Sequence, residues 1–257
     1  MSTLAWIILF SFIGGALSVL AAAIFLVLPA LLRDRMLPHF ISFAIGALLG
    51  ATFIGLLPHA VEDATHIHSV MLTVLLGVLG FFLLEKMVLW RHCHADGHEA
   101  PPVGRPHNHR AAGIMILVGD GFHNFVDGVL IAAAFLTDTH LGIVTSLAIA
   151  AHEIPQEVGD FAVLLYSGFS RARALAFNLI SSLTSIAGGV LAYYSLAGTQ
   201  QALPYILAVA AASFIYIAVA DLIPGLHQRP EPAATAKQLL LIGAGVAVIY
   251  SAHAALH

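Results

Sequence analysis

Apolar residues in this chain gather into eight long runs separated by short polar connections, at approximately 4–28, 40–61, 69–90, 112–136, 141–168, 173–197, 203–223 and 238–256. Each run is about 20 residues or more, which is what a helix needs to cross roughly 30 Å of hydrocarbon. No water reaches backbone groups there, so a helix, which pairs them internally, is the conformation that survives. The pattern predicts an all-α membrane protein: one transmembrane domain over 1–257, interrupted by a single polar loop at about 91–111. The first run carries Ala21-Ala22-Ala23, which resembles a cleavage site. Met1-Ser2-Thr3 has no basic residue and the run continues to Leu32, so a retained span is expected.

Composition agrees with this pattern. Of 257 residues, 60% are hydrophobic and 9% charged, with a mean hydropathy of +0.93, which leaves too little polar surface to coat a soluble globule. The net charge of −4, with no basic face, excludes nucleic acid as a partner. The lone cysteine, Cys93, excludes a disulfide within the fold. The ten basic residues order the topology: Arg33 and Arg35 follow span one, and Lys86, Arg91, Arg105 and Arg110 lie in or beside the loop after span three. Arg171 and Arg173 follow span five; Arg229 and Lys237 follow span seven. All occupy connections of one parity, so the positive-inside rule expects those connections in the cytoplasm and both termini outside a cell membrane.

Two runs are costly to bury. Span five contains His152, Glu153, Gln156, Glu157 and Asp160 around Pro155, and span four contains Asp120, His123, Asn124 and Asp127. An uncompensated carboxylate in hydrocarbon costs about 2.5–3.5 kcal/mol on insertion scales. Asp127, Glu153, Glu157 and Asp160 together would therefore cost roughly 10–14 kcal/mol. A divalent cation is the leading candidate to offset that. His123 is eleven residues into span four from one side, and His152 eleven into span five from the other. At about 1.5 Å per residue both sit roughly 16 Å deep, so the patches are expected at one height. Pro155 is expected to free the Ala151 carbonyl and kink its helix. Gly128 and Gly159 leave room for a neighbouring helix or an ion.

Other polar positions have milder readings. The 91–111 loop holds His92, Cys93, His94, His98, His107 and His109, ligand types suited to loose, exchangeable binding of Zn²⁺ or its neighbours. Glu62, Asp63, His66 and His68 form a solvated loop after span two. Leu32-Arg33-Asp34-Arg35 reads as a charged turn, and Glu85 with Lys86 as an interfacial anchor. Span two has small residues, Gly46, Gly50 and Gly55 among them, suited to close helix approach. Span six offers Asn178, Ser181, Ser182, Thr184 and Ser185 as a hydroxyl-rich face, and Asp221 stands near the end of span seven.

His123-Asn124-Phe125-Val126-Asp127-Gly128 on span four, paired with His152-Glu153-Ile154-Pro155-Gln156-Glu157-Val158-Gly159-Asp160-Phe161 on span five, resembles the ZIP (Zrt/Irt-like) divalent metal transporters, in particular their LIV-1-like branch. The eight spans, external termini and histidine-rich loop fit the same family. The resemblance implies that His123, Asn124, Asp127, His152, Glu153 and Gln156 line a metal site, with Glu157 close by. It implies transport of a divalent metal, Zn²⁺ first, into the cytoplasm, and the imidazole, carboxylate and amide ligands also suit Fe²⁺, Mn²⁺, Co²⁺ and Cd²⁺. It also implies a homodimer, and an inverted repeat of helices 1–3 and 6–8 around helices 4 and 5. The phrases Leu57-Pro58-His59 and Ile223-Pro224-Gly225 are a faint trace of that repeat. Two positions depart from the pattern: Gln156 stands where the branch usually has histidine, and Ser185 where some bacterial members place a glutamate.

The rival reading is an intramembrane zinc-dependent hydrolase, since His152-Glu153 opens like His-Glu-x-x-His. Gln156 replaces the second histidine of that motif, which removes one of its metal ligands. A metal-sensing receptor without flux is a third reading, resting on the histidine-rich loop alone.

Overall fold

The computed structural model describes residues 1–62, 64, 66–95, 109–196, 198–227 and 231–256, and among them the chain is helical with no strand. In chain order the spans are α1 (Thr3–Val27), α2 (30–62), α3 (Ile67–Ala95), α4 (His109–Thr137), α5 (Thr139–Tyr166), α6 (Arg171–Leu196), α7 (Leu203–Leu226) and α8 (Pro232–Leu256). Seven of the eight are long and apolar enough to cross a membrane on composition alone. The eighth, α5, has 28 residues but carries Glu153, Glu157 and Asp160. At about 1.5 Å per residue it is long enough to span, and its carboxylates are what set it apart.

Several boundaries differ from the sequence reading. The α2 helix begins at Ala30, directly after Pro29, so Arg33 and Arg35 stand on its first turns; the turn itself is at Leu28-Pro29. Proline fixes its own φ and lacks an N–H, which suits the start of a helix. The α3 helix continues to Ala95, so the backbone of His92, Cys93 and His94 belongs to its last turns. The side chains of His92, Cys93, His94 and His109, and all of His98 and His107, lie outside the described residues. Pro155 does not interrupt α5, which is one continuous helix. The irregular turns lie elsewhere, as π-helical stretches at Ile13–Leu17 in α1, Ala51–Leu56 in α2 and Ile217–Leu222 in α7.

Those stretches follow the expected repeat. In α2 the π turn begins at Ala51 and proline follows at Pro58; in α7 it begins at Ile217 and proline follows at Pro224, the same offset. The α1 π turn has its counterpart in the break at Leu183, which divides α6. Packing partners match as well: α2 lies on α8 as α7 lies on α3, and α1 packs with α5 as α6 packs with α4. Exchanging helices 1–3 with 6–8, and α4 with α5, leaves this set of pairs unchanged.

Small residues set how closely these pairs approach. A Cβ at Gly46 would lie 2.0 Å from the Ile242 carbonyl oxygen, and one at Gly245 would lie 2.3 Å from that of Phe43, so α2 and α8 meet backbone to backbone. The apolar side chains that do not pack inward, such as Leu72, Leu75, Leu79 and Leu83 on α3, are exposed in the chain and face where lipid would be.

The α4–α5 turn is held by a cap. The Asp138 carboxylate accepts from the N–H groups of His140 (2.8 Å) and Leu141 (3.0 Å) at the start of α5. Partial burial alone would raise its pKa, but those two bonds and the nearby His140 and His59 outweigh it and hold the group below its ordinary 3.8. A lowered carboxylate stabilises the fold above its unfolded pKa, and that contribution fades as pH drops through the folded value, which lies below 3.8. Asp138→Ala is expected to cost about 1 kcal/mol near neutral pH, read as a lower thermal midpoint in detergent.

Candidate metal site

The α4 and α5 helices run antiparallel and in contact, so the two polar patches meet. His123 and Asp127 are one turn apart on α4 and present a common face. Across from them α5 contributes His152 and Glu153. Asp127, His152 and Glu153 are each 1% exposed, and the His123 side chain is 24% exposed.

One ligand atom from each of these four residues falls within 4.8 Å of all the others. The Nε2 atoms of His123 and His152 are 3.3 Å apart. His123 Nε2 is 3.6 Å from Asp127 Oδ2 and 3.3 Å from Glu153 Oε1. His152 Nε2 is 3.5 Å from Asp127 Oδ2 and 3.8 Å from Glu153 Oε1. Ligands about 2.0–2.1 Å from a tetrahedrally bound Zn²⁺ are roughly 3.3–3.4 Å from one another. The separations therefore match the edges of a coordination cage and are long for direct hydrogen bonds.

The hydrogen-bond inventory points the same way. Both oxygens of Asp127 and both of Glu153 are buried without a hydrogen-bond partner among the described residues. Buried carboxylates left in that state are expensive unless a cation or proton completes them. His152 Nδ1 is 3.2 Å from the Ala148 carbonyl, a contact that places the proton on Nδ1 and turns the Nε2 lone pair to the cluster.

The remaining residues singled out by the family pattern are arranged differently. Asn124 donates to Asp120 Oδ1 (2.8 Å). Glu157 accepts from Asn178 Nδ2 on α6 (2.8 Å). Gln156 lines a cavity of about 460 Å³ that begins at His123 and His152. Asp120, Asp160, Asn178 and Ser181 stand out in the sequence as polar groups in apolar spans, with no signal there that assigns them to the site. Asp120 is bonded by the Ser181 hydroxyl and, with Asp160 and Asp221, lines the same cavity.

The cavity runs one way. Its walls include Leu37 near the start of α2, Ile116 and Asp120 near the start of α4, Gly159 and Asp160 late in α5, and Asp221 late in α7. All lie toward the face that carries Arg33, Arg35, Arg171 and Arg173. Toward the other face, where both termini lie, α4 and α5 present Leu130, Ile131, Phe135, Leu141 and Val144, all buried in the main core. The cluster thus opens onto a cavity toward the basic face, while toward the face of the termini α4 and α5 pack these apolar side chains into the core.

The chain is similar along most of its length to known proteins. A family model described as ZIP Zinc transporter matches residues 90–252. The chain is 33% identical over 227 residues to zinc transporter ZIP13 of Pongo abelii, covering 83% of this chain and 66% of that protein. It is 32% identical over 250 residues to ZIP13 of Mus musculus, covering 83% of this chain and 69% of that one. Similarity to zinc transporter SLC39A7 of Rattus norvegicus, 28% over 334 residues, covers 94% of this chain and 71% of the relative. The chain therefore spans about two thirds of the length of these relatives. Nothing in these matches favours a hydrolase, and the chain belongs to the ZIP family of zinc transporters.

Proposed function

We propose that this chain carries Zn²⁺ across a membrane through the cage formed by His123, Asp127, His152 and Glu153. The observation that carries this reading is the set of five ligand separations between 3.3 and 3.8 Å around carboxylates that have no other partner among the described residues. Two imidazoles and two carboxylates bind Zn²⁺ well, accept Cd²⁺, and hold Co²⁺, Fe²⁺ and Mn²⁺ progressively less tightly in that order. The cage contains no thiolate, which keeps the site weak enough to release its ion. Gln156, Asn124 and Glu157, which the family resemblance also implicates, stand on the same two helices within about one turn of the cage residues, Gln156 on the wall of the cavity.

Direction follows from charge and cavity together. With the basic connections in the cytoplasm, the cavity faces inward and the ion leaves the cage into the cytoplasm past Asp120, Asp160 and Asp221. Import across a cell membrane, by a homodimer in which α4 and α5 slide against the rest, is the family-level expectation for such a chain. The histidine-rich segment containing His98 and His107 acts as an accessory, loose metal store on the cytoplasmic side.

The test is flux in vesicles containing the purified full-length chain, with Zn²⁺ outside and a fluorescent chelator inside. Zn²⁺ should enter down its gradient and Cd²⁺ should compete more strongly than Mn²⁺; absence of any metal movement would end the proposal. Removing residues 96–108, between the ends of α3 and α4, should leave flux measurable and change its dependence on metal concentration.

A further inference from the structure

Carboxylates from α4 and α5 converge on one turn of α6, each about one helical turn from a cage residue on its own helix. Asn178 Nδ2 donates to Glu157 Oε2 at 2.8 Å. The Ser181 hydroxyl, one turn on, bonds both the Asp120 carboxylate and the Asn178 carbonyl (3.0 Å). Glu157 and Asn178 are each 0% exposed, and Asp120 is 4% exposed. The second oxygen of each bonded group, Glu157 Oε1 and Asn178 Oδ1, is buried with no hydrogen-bond partner among the described residues. These two oxygens sit on side chains joined by a single hydrogen bond, and neither can satisfy the other, because neither can donate while Glu157 is ionised. A bound cation removes that conflict.

We propose that Glu157 Oε1, Asn178 Oδ1 and the Asp120 carboxylate form a second, all-oxygen position for a divalent cation, downstream of the cage. It rests on the transport reading above. Oxygen-only ligands hold Zn²⁺ less tightly than imidazole does, and favour harder ions such as Mn²⁺. Asp120 both belongs to this position and lines the cavity, so an ion leaving the cage reaches weaker ligands before it reaches water. The position thereby lowers the barrier to release without weakening capture.

The experiment separates this position from the cage by disabling the cage first. Full-length His123→Ala/His152→Ala protein is titrated with Mn²⁺, with free Mn²⁺ followed by its electron paramagnetic resonance signal. Adding Glu157→Gln or Asn178→Leu should lower the number of bound Mn²⁺ by about one, and Asn178→Asp should retain it. In the otherwise intact chain, Glu157→Gln should lower maximal Zn²⁺ flux about tenfold with little change in half-saturating concentration. Glu157→Gln keeps the shape of the side chain and its bond from Asn178, so it guards against a folding artefact. An unchanged Mn²⁺ count in both Glu157→Gln and Asn178→Leu would overturn the second position. A Zn²⁺ flux indifferent to His123 and His152 would instead overturn the cage, whatever the Mn²⁺ count.

Discussion

His152→Ala is expected to reduce Zn²⁺ flux by at least about 100-fold while leaving the protein folded. Loss even of a group that only orients a metal ligand typically costs about 10–100-fold, and here a ligand itself is lost. His152 is 1% exposed and lies within 3.8 Å of three other ligand atoms, so water cannot readily take its place in the cage. Its removal leaves Asp127 and Glu153 with four unpartnered oxygens and one remaining imidazole. His123→Ala should behave similarly but less severely, because that ring already borders the cavity and water can fill the gap. Asp127→Asn is a sharper probe, since it keeps the shape and removes the charge; binding should weaken and half-saturation rise. Flux in vesicles, with helical content by circular dichroism, checks all three. Full flux in folded His152→Ala would remove the cage from the transport path.

Much of this site is legible in the amino-acid sequence, because membrane burial makes polar residues conspicuous. Apolar runs set the number of helices, and equal depth on antiparallel helices brings His123 to the level of His152. Which neighbour each remaining polar group chooses is not legible there. Asn124 and Glu157 share helix faces with the cage residues, yet they turn to Asp120 and Asn178. Periodicity reports the face of one helix, whereas that choice depends on how α6 crosses α4 and α5. The α6 hydroxyl and amide face at 178–185 is visible in the sequence, but its partners are not. Pro155 illustrates a different limit. Its missing N–H removes one bond of a ladder, yet the helix runs unbroken from Thr139 to Tyr166, with Pro155 placed on the wall of the cavity. The π turns of α1, α2 and α7 carry no compositional mark, since an extra residue in a turn depends on packing against neighbours.

Gly188→Ala is expected to damage both stability and transport, through the contact that locates α4. A Cβ there would lie 2.0 Å from the Phe125 carbonyl oxygen, and one at Gly128 would lie 1.8 Å from that of Ser185. Both obstacles are backbone, so neither can swing aside as a side chain would; the helices must separate. Overpacking of this kind costs about 1–3 kcal/mol where relaxation is possible, and the upper end applies here because two rigid helices have to move. Separation also shifts Phe125 and Gly128, which flank Asn124 and Asp127, so the cage opens on the α4 side. Gly46→Ala makes the matching intrusion between α2 and α8, at 2.0 Å from the Ile242 carbonyl, away from the cage ligands. It should cost similar stability with a smaller loss of flux per protein that remains folded. Gly159→Ala is the opposite case, since its Cβ would meet nothing within 4 Å on the cavity wall. There the substitution should gain about 0.5–1 kcal/mol from helix propensity. Thermal midpoints in detergent, beside flux per folded protein, test the order: if Gly188→Ala melts like the parent and transports normally, the close approach of α4 and α6 does not hold the cage in shape.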